Sequence, residues 1–257
     1  MSLPLTGRRV LVTRAVGQAS KLCEALRALG AEPVEVPVLE IRPPASFAAL
    51  DGALRRLDAY DWLILTSANA AQALLDRAAL LEIKLDQMVT MKIAAMGPGT
   101  ASVAEKARLA ITVIPEVQIA EGLVSALQAQ TAGKRVLLAR AAVARDVLPD
   151  ALRAAGAQVD VVEAYRNVLP EDAPEKLRWA LAEKIDAATF TSSSSVTHLK
   201  EAAERAGIAF PFAGVAAISI GPITSATLRE LGWAPAAEAE RSDISGLIAA
   251  VQRLLRN

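Results

Sequence analysis

The residues of this chain best suited to chemistry are hydroxyls and arginines set where short apolar runs give way to amphipathic ones. Thr13-Arg14, Thr66-Ser67, Gly97-Pro98-Gly99-Thr100, Thr191-Ser192-Ser193 and Gly221-Pro222-Ile223-Thr224 all occupy such places. In a parallel α/β sheet that position is the carboxyl end of a strand, where the next helix exposes unpaired N–H groups and a partial positive charge. Anions bind there. Ser and Thr also act as plain N-caps and Gly-Pro as a plain turn, but recurrence of these turns in two halves of the chain argues for an anion-binding cleft lined by both. Arg14 and Arg140 stand at matching places past the first strand of each half, and either guanidinium can fork onto a carboxylate. Arg145, in the loop after Arg140, is a weaker candidate.

One phenol stands apart. Tyr165, in VVEAYRNV, falls where the first half of the chain has Leu39, so a hydroxyl occurs on one side only of an otherwise duplicated segment. A phenol holds its proton at neutral pH and can donate it to a departing oxygen. The competing role is aromatic packing. Other machinery is missing. GPGT lacks the spacing of a phosphate-binding GxxxxGK[ST] loop, no GxGxxG follows a strand and no GxSxG occurs, which argues against nucleotide cofactors and a serine-hydrolase elbow. The single histidine, His198, lies inside an expected helix opposite Ala73 of the other copy and reads as a helix-face residue. The single cysteine, Cys23, lies on an apolar helix stripe with Leu22, Leu26 and Leu29, and reads as core. The two cannot together build a zinc or iron–sulfur site, so neither a metal nor a cofactor is expected.

These residues need a scaffold. Twenty-eight basic and 28 acidic side chains cancel, which removes the basic excess that nucleic acid or an anionic membrane would need. No export signal is visible at the N-terminus, so a cytoplasmic protein without a membrane partner is expected. Apolar runs alternating with amphipathic stretches predict an α/β fold of parallel strands buried on both faces. Strands are expected at 9–13, 34–39, 62–66, 93–96, 111–114, 136–139, 159–164, 188–191 and 216–220. An internal repeat runs through the chain. GRRVLVTRA at Gly7 returns as GKRVLLARA at Gly133, EALRALGAE at Glu24 as DALRAAGAQ at Asp150, and YDWLILTSANAA at Tyr60 as IDAATFTSSSSV at Ile185. AAMGPGTASV at Ala94 and EGLVSAL at Glu121 find weaker partners in AISIGPITSA and in SGLIAAV at Ser245. Two related halves with insertions confined to loops describe a duplicated βα unit. The extended, proline-ended stretches EVPVLEIRPP and VVEAYRNVLP could run as linker strands between two lobes, the first strand and helix joining the C-terminal third. A side-by-side split is equally open at this level.

Taken in order, VLVTRAVGQ at Val10, PVLEI at Pro37, ILTSANAA at Ile64, AAMGPGTA at Ala94, VEAYRNV at Val162, FTSSSSV at Phe190 and ISIGPITSATL at Ile218 resemble the uroporphyrinogen-III synthase family. The resemblance implies two α/β lobes joined by a two-stranded ladder, residues 1–37 with 168–257 forming one lobe and 38–167 the other. It implies a lyase that closes hydroxymethylbilane to uroporphyrinogen III with loss of water and inversion of the terminal ring, in heme biosynthesis. The implied route passes through an azafulvene and a spiro intermediate. It also implies that Tyr165 assists departure of the hydroxyl, and that Thr66, Ser67, Thr100, Ser192 and Thr224 bind the substrate carboxylates. From the residues themselves, Ser193, Arg14 and Arg140 join the binding set. A monomer without nucleic-acid partners is expected, in transient contact with the synthase that makes hydroxymethylbilane. A two-lobed protein that captures a small anion without transforming it is the alternative.

Overall fold

The computed structural model describes residues 3–85 and 91–256. The chain divides into two compact units, Met1–Glu40 with Val168–Asn257, and Ile41–Asn167. The first crossing falls after Glu40 rather than after residue 37. The physical reason is that Val36, Val38 and Leu39 are buried in the core of the first unit, whereas Glu40–Arg42 forms a strand beside the sheet of the second.

The first unit is built on β1 (Arg9–Val12), β2 (Glu32–Glu35), β8 (Ala187–Phe190), β9 (Ala216–Ser219) and β10 (Ala237–Glu238), in the order β10-β9-β8-β1-β2. All of its pairings are parallel. The second is built on β3 (Glu40–Arg42), β4 (Trp62–Leu65), β5 (Lys92–Ala95), β6 (Arg135–Ala141) and β7 (Gln158–Val168), in the order β3-β7-β6-β4-β5. Its β5–β4–β6–β7 pairings are likewise parallel.

Side chains alternate between the faces of each strand. In the first unit, Val10 and Val12 pack with Leu22, Cys23 and Leu26 of α1 (Ser20–Ala28) and Leu247 and Val251 of α10 (Ile244–Leu255). Leu11 faces the other way, with Leu177 of α7 (Ala173–Leu181), Val196 and Leu199 of α8 (Ser193–Ala206) and Leu228 of α9 (Pro222–Glu230). In the second unit, Ile64 and Leu138 meet Leu127 of α5 (Ala120–Thr131) and Leu152 of α6 (Val147–Ala154). Leu65 and Leu137 meet Leu50 of α2 (Ala48–Leu54), Leu74 of α3 (Ala68–Leu80) and Ala104 of α4 (Pro98–Lys106).

The repeat explains the strand order. Val10 lies between Pro33 and Ala187, and Val136 between Trp62 and Val159. Each sheet therefore joins the opening β-α-β of one sequence half to the closing strands of the other. A carboxylate at each junction fixes the register. Asp186 Oδ2 accepts the Arg9 N–H at 2.9 Å, and Asp61 Oδ2 accepts the Arg135 N–H at 2.9 Å. The backbone closes the same pairs, Asp186 N–H donating to Arg9 O and Asp61 N–H to Arg135 O, both at 2.9 Å. Arg8 and Lys184 flank Asp186, and Lys134 flanks Asp61. The glycine of the repeated EGL and SGL motifs is a matter of close approach. A Cβ on Gly122 would sit 1.9 Å from the Val117 carbonyl oxygen, and one on Gly246 2.2 Å from that of Arg241. Helices α5 and α10 can start against their loops only without it.

Several boundaries differ from expectation. The strand expected at 111–114 is reduced to one parallel bridge, Val113 to Ala94. The strand expected at 34–39 is assigned only to Glu35, because Pro37 has no N–H to continue the ladder; the Val36 and Val38 amides still reach Val12 O at 3.0 Å and Thr13 O at 3.4 Å. Among the described residues no helix is long and apolar enough to cross a membrane.

Burial opposes ionisation of Asp186, but the Arg9 N–H, Lys184 and Arg8 outweigh it and hold the carboxyl below its ordinary value; the Arg135 N–H does the same for Asp61. A lowered folded-state value means stability that is present above the unfolded carboxylate range and lost as pH falls through the folded one. Asp186→Asn is expected to cost roughly 1–2 kcal/mol at pH 7, with the difference from the parent closing below about pH 4. Urea unfolding across that range checks it.

Candidate active site

The second unit gathers Thr66, Ser67, Thr100, Arg140 and Tyr165 at the carboxyl edge of its sheet. Ser67 follows β4 in extended conformation and caps α3, its Oγ accepting the Ala70 N–H at 3.0 Å. Thr66 Oγ1 donates to Ala139 O on the neighbouring strand at 3.1 Å. Helix α4 opens on Gly97 with Pro98 in its first turn, and Thr100 is buried within that turn. Tyr165 is delivered by an irregularity. Along β7 the register shifts so that Arg140 faces Glu163 and Ala141 faces Tyr165. The extra residue breaks the alternation of faces, and Ala164 and Tyr165, neighbours in sequence, enter the same core. Tyr165 Oη then lies 3.2 Å from Ser67 Oγ. The ring is buried and forms one wall of a cavity of about 360 Å³ with Ile41, Pro43, Phe47, Ala73, Leu80 and Ala164. Arg77 also borders the cavity. It is neutralised by Asp51 through two 2.6 Å hydrogen bonds and lies over the Phe47 ring at 4.0 Å.

The first unit repeats the edge without the phenol. Ser192 caps α8 as Ser67 caps α3, accepting the Ser195 N–H at 3.2 Å. Ser193 donates to Ile223 O at 3.4 Å and accepts from Thr227 Oγ1 at 2.8 Å, tying α8 to α9. Thr224 is buried in the first turn of α9. Thr13, at the end of β1, is buried and donates to Thr189 O at 2.8 Å, which makes it part of the sheet. The position of Tyr165 is held by Leu39, in the apolar core.

The matched arginines differ in state. Arg140 donates to Asp146 Oδ1 at 2.7 Å and to Arg145 O at 3.1 Å, its Nε alone buried without a partner. Arg145 is paired with Glu121 at 2.8 and 3.2 Å. Arg14 has Ser20 where Arg140 has Asp146. It is half-buried, makes no hydrogen bond or ion pair among the described residues, and burial weakens its hold on its proton. The Arg14 guanidinium thus keeps its donors uncommitted, whereas that of Arg140 spends two of them within the protein.

Of the remaining chemical groups, Cys23 is buried, and burial with Glu35 nearby pushes its thiol up to about 11, which leaves it inert. His198 is tied through Nδ1 to Val38 O at 3.0 Å and fastens the segment after β2 to α8. Two polar residues at these edges are absent from the sequence reading. A Cβ on Gly97 would lie 2.7 Å from Gln118 Oε1, and one on Gly221 2.5 Å from Ser242 Oγ, so both side chains lie over the start of a Gly-Pro helix. Their matched places in the two copies are the signal that could have found them.

The family model described as Uroporphyrinogen-III synthase HemD matches residues 20–249. A uroporphyrinogen-III synthase of Synechococcus elongatus is 37% identical over 98% of this chain and 97% of its own. Among solved structures, a mutant uroporphyrinogen III synthase of Thermus thermophilus matches with TM-score 0.72 at 21% identity, over 97% of this chain and 99% of that one. The uroporphyrinogen-III synthetase of Helicobacter pylori matches with TM-score 0.64 at 18% identity, over 96% and 99%. The structural likenesses concern the fold; the end-to-end sequence match and the family model carry further, and by them the chain belongs to the uroporphyrinogen-III synthase family.

Proposed function

We propose that this protein converts hydroxymethylbilane to uroporphyrinogen III, with Tyr165 as the proton donor to the departing hydroxyl. Family membership supports the overall reaction. The observation that carries the chemistry is the Tyr165 hydroxyl 3.2 Å from Ser67 Oγ at the carboxyl edge of a parallel sheet, on a residue that lines an open pocket bordered by apolar side chains and by Arg42, Asp76 and Arg77.

The carbon–oxygen bond of the hydroxymethyl group breaks, the pyrrole nitrogen supplying the electron pair, and the oxygen leaves as water with the phenol proton. The resulting azafulvene is attacked by the substituted carbon of the terminal ring to give a spiro intermediate. The bond from the spiro carbon to the preceding ring's bridge then breaks, the terminal ring recloses on that bridge through its other, unsubstituted α-carbon, which inverts it, and the proton this carbon releases as aromaticity returns restores the phenol. Electron-rich pyrroles ionise readily, so the main task is to select which carbon closes the ring, and that is work for positioning. Helix starts at Ser67, Gly97, Ser192 and Gly221 offer N–H donors for carboxylates, with Thr66, Thr100, Ser193 and Thr224 beside them. Arg14 supplies a full positive charge. Arg140 contributes mainly by holding the loop that follows β6. Capture of an anion without conversion has no observation in its favour that the synthase reading does not share.

Freshly generated hydroxymethylbilane mixed with the protein, oxidised and separated by isomer, tests the reading. Isomer III is the expected product, and an unaltered background of isomer I from folded protein would refute it. In that assay Tyr165→Phe lowers kcat for isomer III by roughly 10–100-fold, and unfolding stability by no more than about 1 kcal/mol. The arginines separate differently. Arg14→Gln raises KM with little change in kcat, as lost uniform binding does, while Arg140→Gln lowers the unfolding midpoint because the Asp146 and Arg145 contacts go with it.

A further inference from the structure

The hydroxyl of Ser67 sits between a helix start and the phenol. It has one proton and two lone pairs. One lone pair is taken by the Ala70 N–H at 3.0 Å, the cap of α3. What passes between Ser67 Oγ and Tyr165 Oη, 3.2 Å apart, is then either the serine proton or the phenol proton. Only the first arrangement leaves Tyr165 free to donate elsewhere. The amide that bonds Ser67 draws electron density from its oxygen and strengthens the O–H as a donor. Helix α3 has 13 residues and no acidic side chain in its first turn, so the positive end of its dipole is not offset there.

We propose that Ser67 is a positioning residue for Tyr165: it donates its proton to the phenol oxygen, turns the phenol O–H toward the departing group, and supports the negative charge left on Oη once that proton is given up. This rests on the synthase reading and adds to it the direction of one hydrogen bond. The duplicated unit supplies an internal contrast. Ser192 caps α8 in the same way, but Leu39 stands at the phenol position, so the cap alone is a feature of the fold and the coupling to a phenol belongs to Ser67.

The test reads the bond without substrate. The chain has two tyrosines, and Tyr60→Phe leaves Tyr165 as the sole source of the tyrosine doublet in ultraviolet resonance Raman spectra, whose intensity ratio distinguishes a phenol that accepts a hydrogen bond from one that donates. In that background the doublet is expected to have the accepting form, to lose it in Ser67→Ala and Ser67→Gly, and to keep it in Ser67→Thr. Glycine is tolerated at an N-cap with little loss, so the Gly variant remains informative if the Ala variant folds poorly. In the otherwise native chain the Ala and Gly variants are expected to lower kcat for isomer III roughly 10-fold with KM unchanged, and Thr to restore it. A donating doublet in the parent, or an accepting doublet that survives loss of the Ser67 hydroxyl, would overturn the proposal. So would loss of the accepting form with no fall in kcat. Failure of the parent to make isomer III would instead fall on the synthase reading, since the Raman result needs no turnover.

Discussion

Two aspartates hold the duplicated halves in register. Asp61 and Asp186 each present one carboxylate oxygen to the first amide of a strand from the other half of the chain, Arg135 and Arg9, while their own amides bond back to the same residues. A slip of one residue at either junction would turn every side chain of that strand to the opposite face, driving Leu137 or Leu11 out of the helix-covered core each now fills. Everything at the far end of the strands depends on that register. Ala139, which accepts from Thr66, and Ala141, which faces Tyr165, sit on the strand that Asp61 anchors.

On this duplicated scaffold the chemistry is unequal, and the inequality lies in side chains. The serine caps at the start of α3 and α8 are alike. Tyr165 has Leu39 as its twin, Asp146 has Ser20, and His198 has Ala73. The first exchange gives one unit a phenol. The second ties Arg140 down, whereas Arg14 makes no hydrogen bond or ion pair among the described residues. The third uses a histidine to secure the segment that precedes the crossing at Glu40. Two similar strand-end edges thus carry different side chains at single matched positions.

The fold was legible because both sheets are buried on two faces, which writes strands such as Trp62–Leu65 and Val136–Ala139 as unbroken apolar runs. Where pairing depends on backbone rather than side chains, that signal fails. β3 is a short, mostly exposed edge and β10 a short, half-buried one, neither with an apolar run, and the stretch at 111–114, apolar enough for a strand, makes one bridge. At the site, Tyr165 was legible as a mismatch between copies, and Ser67 as a hydroxyl at a strand end. That they touch was not, because it depends on the register shift at Ala164. The engagement of Arg140 by Asp146 was equally hidden, since the sequence shows two charges in one loop and not which oxygen a guanidinium reaches.

A reaction whose substrate ionises readily asks for a shaped, dry environment and one well-placed proton more than for a strong acid. The Tyr165 hydroxyl, 3.2 Å from Ser67 Oγ on a residue that borders a pocket of about 360 Å³, is the group proposed to give that proton. Contact between the reacting end of the tetrapyrrole and Tyr165 can be read directly. With tyrosine labelled by carbon-13 at the ring carbon that bears oxygen, the chain gives two signals, assigned by Tyr60→Phe. Addition of uroporphyrinogen III under reducing conditions should shift the Tyr165 signal and leave that of Tyr60, which donates to Asp160 at 2.6 Å, in place. Saturable binding of the product with the Tyr165 signal unmoved would contradict it.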